Sequence, residues 1–127
     1  GFQKLFAKQP RCRIVLEVGT HSPWVHELLA GLGDGLYLCN HMGGQTTGEN
    51  FTFGAQFGFE VRDGKPGRML RDINISGNLY TTMTNLSAVS NDLTLSEIGG
   101  CGKYQTNYRS CNGAPHVLVE NLVVGGR

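Results

Sequence analysis

NFTFGAQFGFEVR, residues 50–62, places Phe51, Phe53, Ala55, Phe57, Phe59 and Val61 on every odd position, with polar or small residues between them. Side chains of a strand alternate between its two faces, so this period predicts a long strand buried along one side. Asp63-Gly64 follows at once and suits the positive φ angles of a tight hairpin turn, after which GRMLRDINI (67–75) reads as the antiparallel return. Working outward, CRIVLEV (12–18), GLYLCNH (35–41), LTLSEIG (93–99) and HVLVENLVV (116–124) are further strand candidates. SPWVHELLAGLG (22–33) has a different rhythm. Ser22 suits an N-cap and Pro23 the first helical position, Trp24, Leu28 and Leu32 recur at helical spacing, and Gly31 or Gly33 supplies the stop. A second short helix is expected around 78–88, opposed by its threonines. MGGQTTGEN (42–50) reads as a flexible polar loop. The fold class that follows is mainly β (α+β): an antiparallel β-sandwich or distorted barrel with one or two short helices.

Composition agrees. The 127 residues suit a single domain, 1–127, and 19 glycines with only 17% charged residues favour strands joined by turns over a helix bundle. Eleven basic against ten acidic residues leave a formal charge of +1, dispersed along the chain, which argues against a direct nucleic-acid partner. No apolar run approaches the roughly 20 residues needed to cross a bilayer, and the first ten residues lack a signal-peptide pattern, so a soluble protein without a membrane partner is expected. Opening on Gly1 instead of Met, the chain reads as a fragment. Cysteines at 12, 39, 101 and 111 form no CxxC pair and read as reduced thiols of a cytoplasmic protein.

Several residues carry candidate chemistry. His21 and His26 are five apart, about 140° around a helix, so HSPWVHE is not the H-E-x-x-H zinc signature; surface or capping roles suit His26 and Glu27. Cys39 and His41 lie two apart on a strand, where a shared metal competes with core packing of Cys39. Cys101 sits among Gly99, Gly100 and Gly102, which leave its sulfur open to a ligand or a reactant. His116, fifteen residues further on, keeps a thiol-nucleophile reading alive. From the residues alone, Cys101 remains a nucleophile, half of a disulfide or a metal ligand.

GGQTTGENFTF (43–53), SNDLTLSEIGGCGK (90–103) and GAPHVLVENLVVGG (113–126) closely resemble the carboxyl-terminal domain of the TldD/PmbA family, long described as modulators of DNA gyrase and as metallopeptidases of peptide maturation. The resemblance covers residues 35–127 most specifically. It implies that this chain is the carboxyl-terminal domain alone, with the upstream domain absent. In TldD-type members an upstream His-Glu-x-x-x-His helix supplies two imidazole ligands and a general base, and the Cys of a Cys-Gly-Lys turn supplies a third ligand. Cys101-Gly102-Lys103 matches that turn, so the resemblance makes Cys101 a zinc ligand and sets it on the TldD side, since PmbA-type partners lack the ligands. No catalytic residue is assigned within the chain, which should be inactive alone. The family further implies a peptide substrate bound as an added strand, with Gly43, Gly44, Gln45 and Lys103 as candidate substrate contacts, and a TldD/PmbA-type partner subunit in a homo- or heterodimer. Tyr104, Gln105 and Thr106 depart from the glycines and Gln usual after the Lys, and Cys111 is an addition. The alternatives are a non-catalytic interaction module of a PmbA-like partner and a disulfide-linked secreted binding domain.

Overall fold

The computed structural model describes residues 11–16, 25–96, 99–102, 104 and 108–125. Its elements are β1 (Arg11–Leu16), α1 (Val25–Leu32), β2 (Gly35–Thr47), β3 (Asn50–Arg62), β4 (Lys65–Asn78), α2 (Leu79–Thr84) and β5 (Leu86–Val89), followed by β6 (Thr94–Ser96), β7 (Gly100–Cys101), β8 (Tyr108–Arg109), β9 (Asn112–Ala114) and β10 (Val117–Gly125). The described residues are mostly strand, in a strongly curled sheet with two short helices among them, in line with the alternation in 50–62.

β3 is that alternating stretch, and it forms the longest ladder with β4, from Asn50↔Asn78 to Arg62↔Lys65. Asp63 and Gly64 turn between them with φ of 49° and 70°, the left-handed pair that a two-residue hairpin needs. The turn is tied to the end of α1: the Gly64 N–H donates to the Gly33 carbonyl at 2.9 Å and the Asp63 N–H to Asp34 Oδ1 at 2.9 Å. α1 ends at Leu32, and the N–H of Gly33 just beyond it donates to the Leu29 carbonyl at 3.1 Å. The expected start of this helix at Ser22, Pro23 and Trp24 lies outside the described residues.

Pairing runs β1-β2-β3-β4-β10, and β10 returns to β1, so the strands curl into a distorted barrel. The exception to antiparallel order is β1 with β2, which run parallel because α1 carries the chain across between them. Bulges let so small a sheet curl. One lies in β2 between His41 and Gly44, bracketed by Asn40 at φ 53° and Gly43 at 83°; another shifts β10 against β1, close to Asn121 at φ 58°. Asn tolerates this left-handed geometry better than most side chains.

Two packed clusters hold the sheet. Ile14, Leu38, Phe51, Ala55, Ile73, Ile75, Val119 and Leu122 form one. Leu29 and Leu32 of α1 cover the other, with Tyr37, Cys39, Val61 and Leu118. Neighbouring residues on β2 and β10, Leu38 beside Tyr37 and Val119 beside Leu118, therefore enter different clusters, and the sheet is buried on both faces there.

Two expectations need correction. MGGQTTGEN is no loop: Gly44–Thr47 pair with Phe53–Asn50, and only Gly48 and Glu49 form the turn. Its glycines and exposed polar residues carry no hydrophobic alternation, so the strand is set by its partner. The second helix stops at Thr84 because residues 86–89 join β10 as β5. Asn78 caps α2, its side chain accepting the Thr81 N–H at 3.2 Å.

Candidate metal-ligand site

Between β5 and β10 the chain leaves the sheet. Residues 90–116 run out through β6, carry β7 and β8, and return through β9. β6 pairs with β9 from Thr94↔Ala114 to Ser96↔Asn112. Further out, Gly100 pairs with Arg109 and Cys101 with Tyr108, and the Ser110 N–H donates to the Gly99 carbonyl at 3.0 Å.

Cys101 thus stands on a two-residue strand near the tip of this excursion, and it is exposed. Gly99 is required beside it: a Cβ there would lie 2.7 Å from the Ser110 carbonyl oxygen. Cys39, Cys101 and Cys111 are thiols, none of them bridged. The register sets Cys101 opposite Tyr108, three residues short of Cys111. At about 3.3 Å per residue that offset is about 10 Å, too far for a disulfide without rearrangement.

Gly43, Gly44 and Gln45 lie on the outer half of β2, all exposed, in a sheet separate from the β7–β8 ribbon. A Cβ on Gly44 would stand 2.1 Å from the Thr52 carbonyl oxygen, so only glycine allows the strands to approach so closely at this bulge. Among the described residues, β1 meets β2 only from Leu36 to Leu38, which leaves the second edge of Gly43–Gln45 without a described strand. Lys103 lies outside the described residues, as does His21; the side chain of His26 is likewise not described.

Cys39 and His41 do not share a site. Asn40 between them adopts φ 53°, Cys39 is buried at 3% exposure, and His41 is exposed. His116 is no partner for a Cys101 nucleophile either. It is 2% exposed, its Nδ1 lies 2.5 Å from Asp92 Oδ2, and its Nε2 lies 3.3 Å from the Tyr37 hydroxyl. Asp92 also accepts from the His116 N–H through Oδ1 at 3.0 Å and from the Ser90 hydroxyl. Sequence reading did not single out Asp92 or Tyr37; the signal lay only in their distance in space, since Tyr37 and His116 are 79 positions apart.

No group of three His, Cys, Asp or Glu side chains converges among the described residues. Cys101 could therefore fill one position of a metal's ligand set, as a soft, exposed sulfur, and the co-ligands of such a site would have to come from outside the described residues. No helix of the described residues is long and apolar enough to cross a membrane.

Residues 7–126 match the PmbA/TldA metallopeptidase C-terminal domain. The chain belongs to the PmbA/TldD family. A metalloprotease of Synechocystis is 36% identical over 110 residues, covering 86% of this chain and 24% of that protein. A zinc metalloprotease TldD homolog of Saccharolobus solfataricus is 36% identical over 103 residues, covering 80% of this chain and 23% of that protein. The chain therefore spans about a quarter of the length of the curated relatives it matches. TldE from Thermococcus kodakarensis shares the fold at a TM-score of 0.62 and 21% identity, over 89% of this chain and 24% of that one. The PmbA/TldD domain resembled by the motifs around Gly43, Cys101 and His116 is thus the one found, and its curled sheet is shared with a solved relative.

Proposed function

We propose that this chain is the carboxyl-terminal part of a TldD-like zinc metallopeptidase acting on peptides, in which Cys101 donates one thiolate to the metal. The observation that carries the reading is the exposed, unbridged Cys101 held on a short ribbon that projects from the sheet. Support comes from relatives named metalloprotease and zinc metalloprotease, each about four times the length of the matched segment. When bound, zinc supplies Lewis acidity that polarises a peptide carbonyl and acidifies water. The imidazoles and general base of a His-Glu-x-x-x-His helix belong to the parent protein, outside these 127 residues.

The residues of this chain bind and orient. Gly43, Gly44 and Gln45 present a β2 edge to which an extended peptide adds as a strand, giving affinity through main-chain hydrogen bonds with little side-chain selectivity. Lys103, next to the ligand turn, contacts the substrate or its developing oxyanion. A TldD/PmbA-type subunit completes a homo- or heterodimer in the cytoplasm.

Zinc titration of a parent-length protein tests the reading. Cys101→Ser should weaken zinc binding by at least about tenfold, on the scale of losses seen when metal-site partners are removed. Equal affinity in both proteins would overturn it and favour a non-catalytic interaction module.

A further inference from the structure

Among its described residues, the excursion that bears Cys101 has no core of its own. From Leu93 to Pro115 no described residue is buried, and Leu93, Leu95, Tyr104 and Tyr108 stand 63%, 64%, 101% and 68% exposed. A two-stranded ribbon without a packed face is marginal by itself, so its direction relative to the sheet must be set at its base.

That base is a set of polar contacts between Ser90, Asp92, His116 and Tyr37. The Ser90 N–H donates to the His116 carbonyl at 2.9 Å, joining the first and last residues of the excursion. Asp92 turns back over the junction, Oδ1 accepting the His116 N–H at 3.0 Å and Oδ2 meeting Nδ1 at 2.5 Å. From the sheet side, the Tyr37 hydroxyl reaches His116 Nε2 at 3.3 Å, and the two rings lie 6.2 Å apart. His116 is 2% and Tyr37 8% exposed, so neither meets a substrate; what they can do is hold. A buried histidine bonded at both nitrogens fixes the ring, and through it the segment that Asp92 begins.

We propose that His116 and Asp92 are positioning residues that aim the Cys101 ribbon, anchoring it through Tyr37 to β2. The proposal deepens the metal-ligand reading and rests on it only for its effect on zinc. The aim of the ribbon can be read without metal. In the 127-residue chain carrying Cys12→Ser and Cys111→Ser, one nitroxide is placed on Cys101 and a second on the exposed Thr52→Cys of β3, and the distance distribution between them is measured by electron–electron resonance. The clamped protein should give a narrow distribution. Asp92→Asn, close in shape and retaining an acceptor at Oδ1, and His116→Gln should each lose it while the sheet still unfolds cooperatively. A distribution that stays narrow in Asp92→Asn overturns the proposal, whatever zinc does.

In the parent-length protein, Asp92→Asn should weaken zinc affinity on the order of tenfold. An unchanged affinity there, with Cys101→Ser weakened, would also overturn the positioning role. Unchanged affinity in Cys101→Ser itself would defeat the ligand reading instead, leaving the distance measurement to decide the clamp.

Discussion

Asp34 ties local chemistry to pH. It is exposed, yet the Asp63 N–H at 2.9 Å lowers its carboxyl below the ordinary range, outweighing slight desolvation, and Arg62 at 3.3 Å adds to the effect. A carboxylate lowered in the folded state stabilises it above the unfolded pKa, near 3.9, and that contribution is lost as pH falls through the folded value. The wild type should therefore exceed Asp34→Asn in urea midpoint at neutral pH, with the gap closing below about pH 4. A gap that is constant down to pH 2 would show that the Asp34 charge does not hold the Asp63–Gly64 turn.

Packing between β2, β3 and β4 turns on one glycine. Gly58 is buried, and a Cβ there would lie 2.7 Å from the Tyr37 carbonyl oxygen, 2.8 Å from Leu38 Cδ2 and 2.9 Å from Ile73 Cδ1. Removing glycine's chain entropy would gain about 0.4–1 kcal/mol, but overpacking costs about 1–3 kcal/mol. Gly58→Ala should thus lose on the order of 1–2 kcal/mol by denaturant titration. Gly31→Ala, with nothing within 4 Å on the surface of α1, should gain about 1 kcal/mol instead. Equal effects at both sites would contradict the close approach at Gly58. At this scale the sequence was most readable where hydrophobic period and turn chemistry coincide, in Phe51 to Val61 and Asp63-Gly64. It was silent where pairing is imposed from outside. Gly43 to Thr47 have no apolar rhythm, and their strand exists because β3 lies beside them. Nor does sequence order show that Asp92 meets His116, 24 positions away, although the exposure of Cys101 was legible through the glycines around it.

At the scale of the whole molecule, the described residues form a curled sheet and an excursion, residues 90–116, that carries Cys101 outside it. The sheet buries Ile14, Leu38, Val61 and Val119 almost completely, which makes it a stable platform. The excursion that carries Cys101 leaves that sulfur and the side chains of Leu93, Leu95 and Tyr108 exposed. If the co-ligands of Cys101 lie outside these residues, as proposed, the 127-residue chain should show no metal-dependent peptide hydrolysis; robust turnover by the purified chain would contradict the proposal. The most direct test of the central claim is the absorption spectrum of a parent-length protein loaded with cobalt in place of zinc. A thiolate ligand gives a sulfur-to-cobalt charge-transfer band in the near ultraviolet. The band should be present in the wild type and in Cys39→Ser and Cys111→Ser, and absent in Cys101→Ser. Its survival in Cys101→Ser would show that this sulfur does not bind the metal.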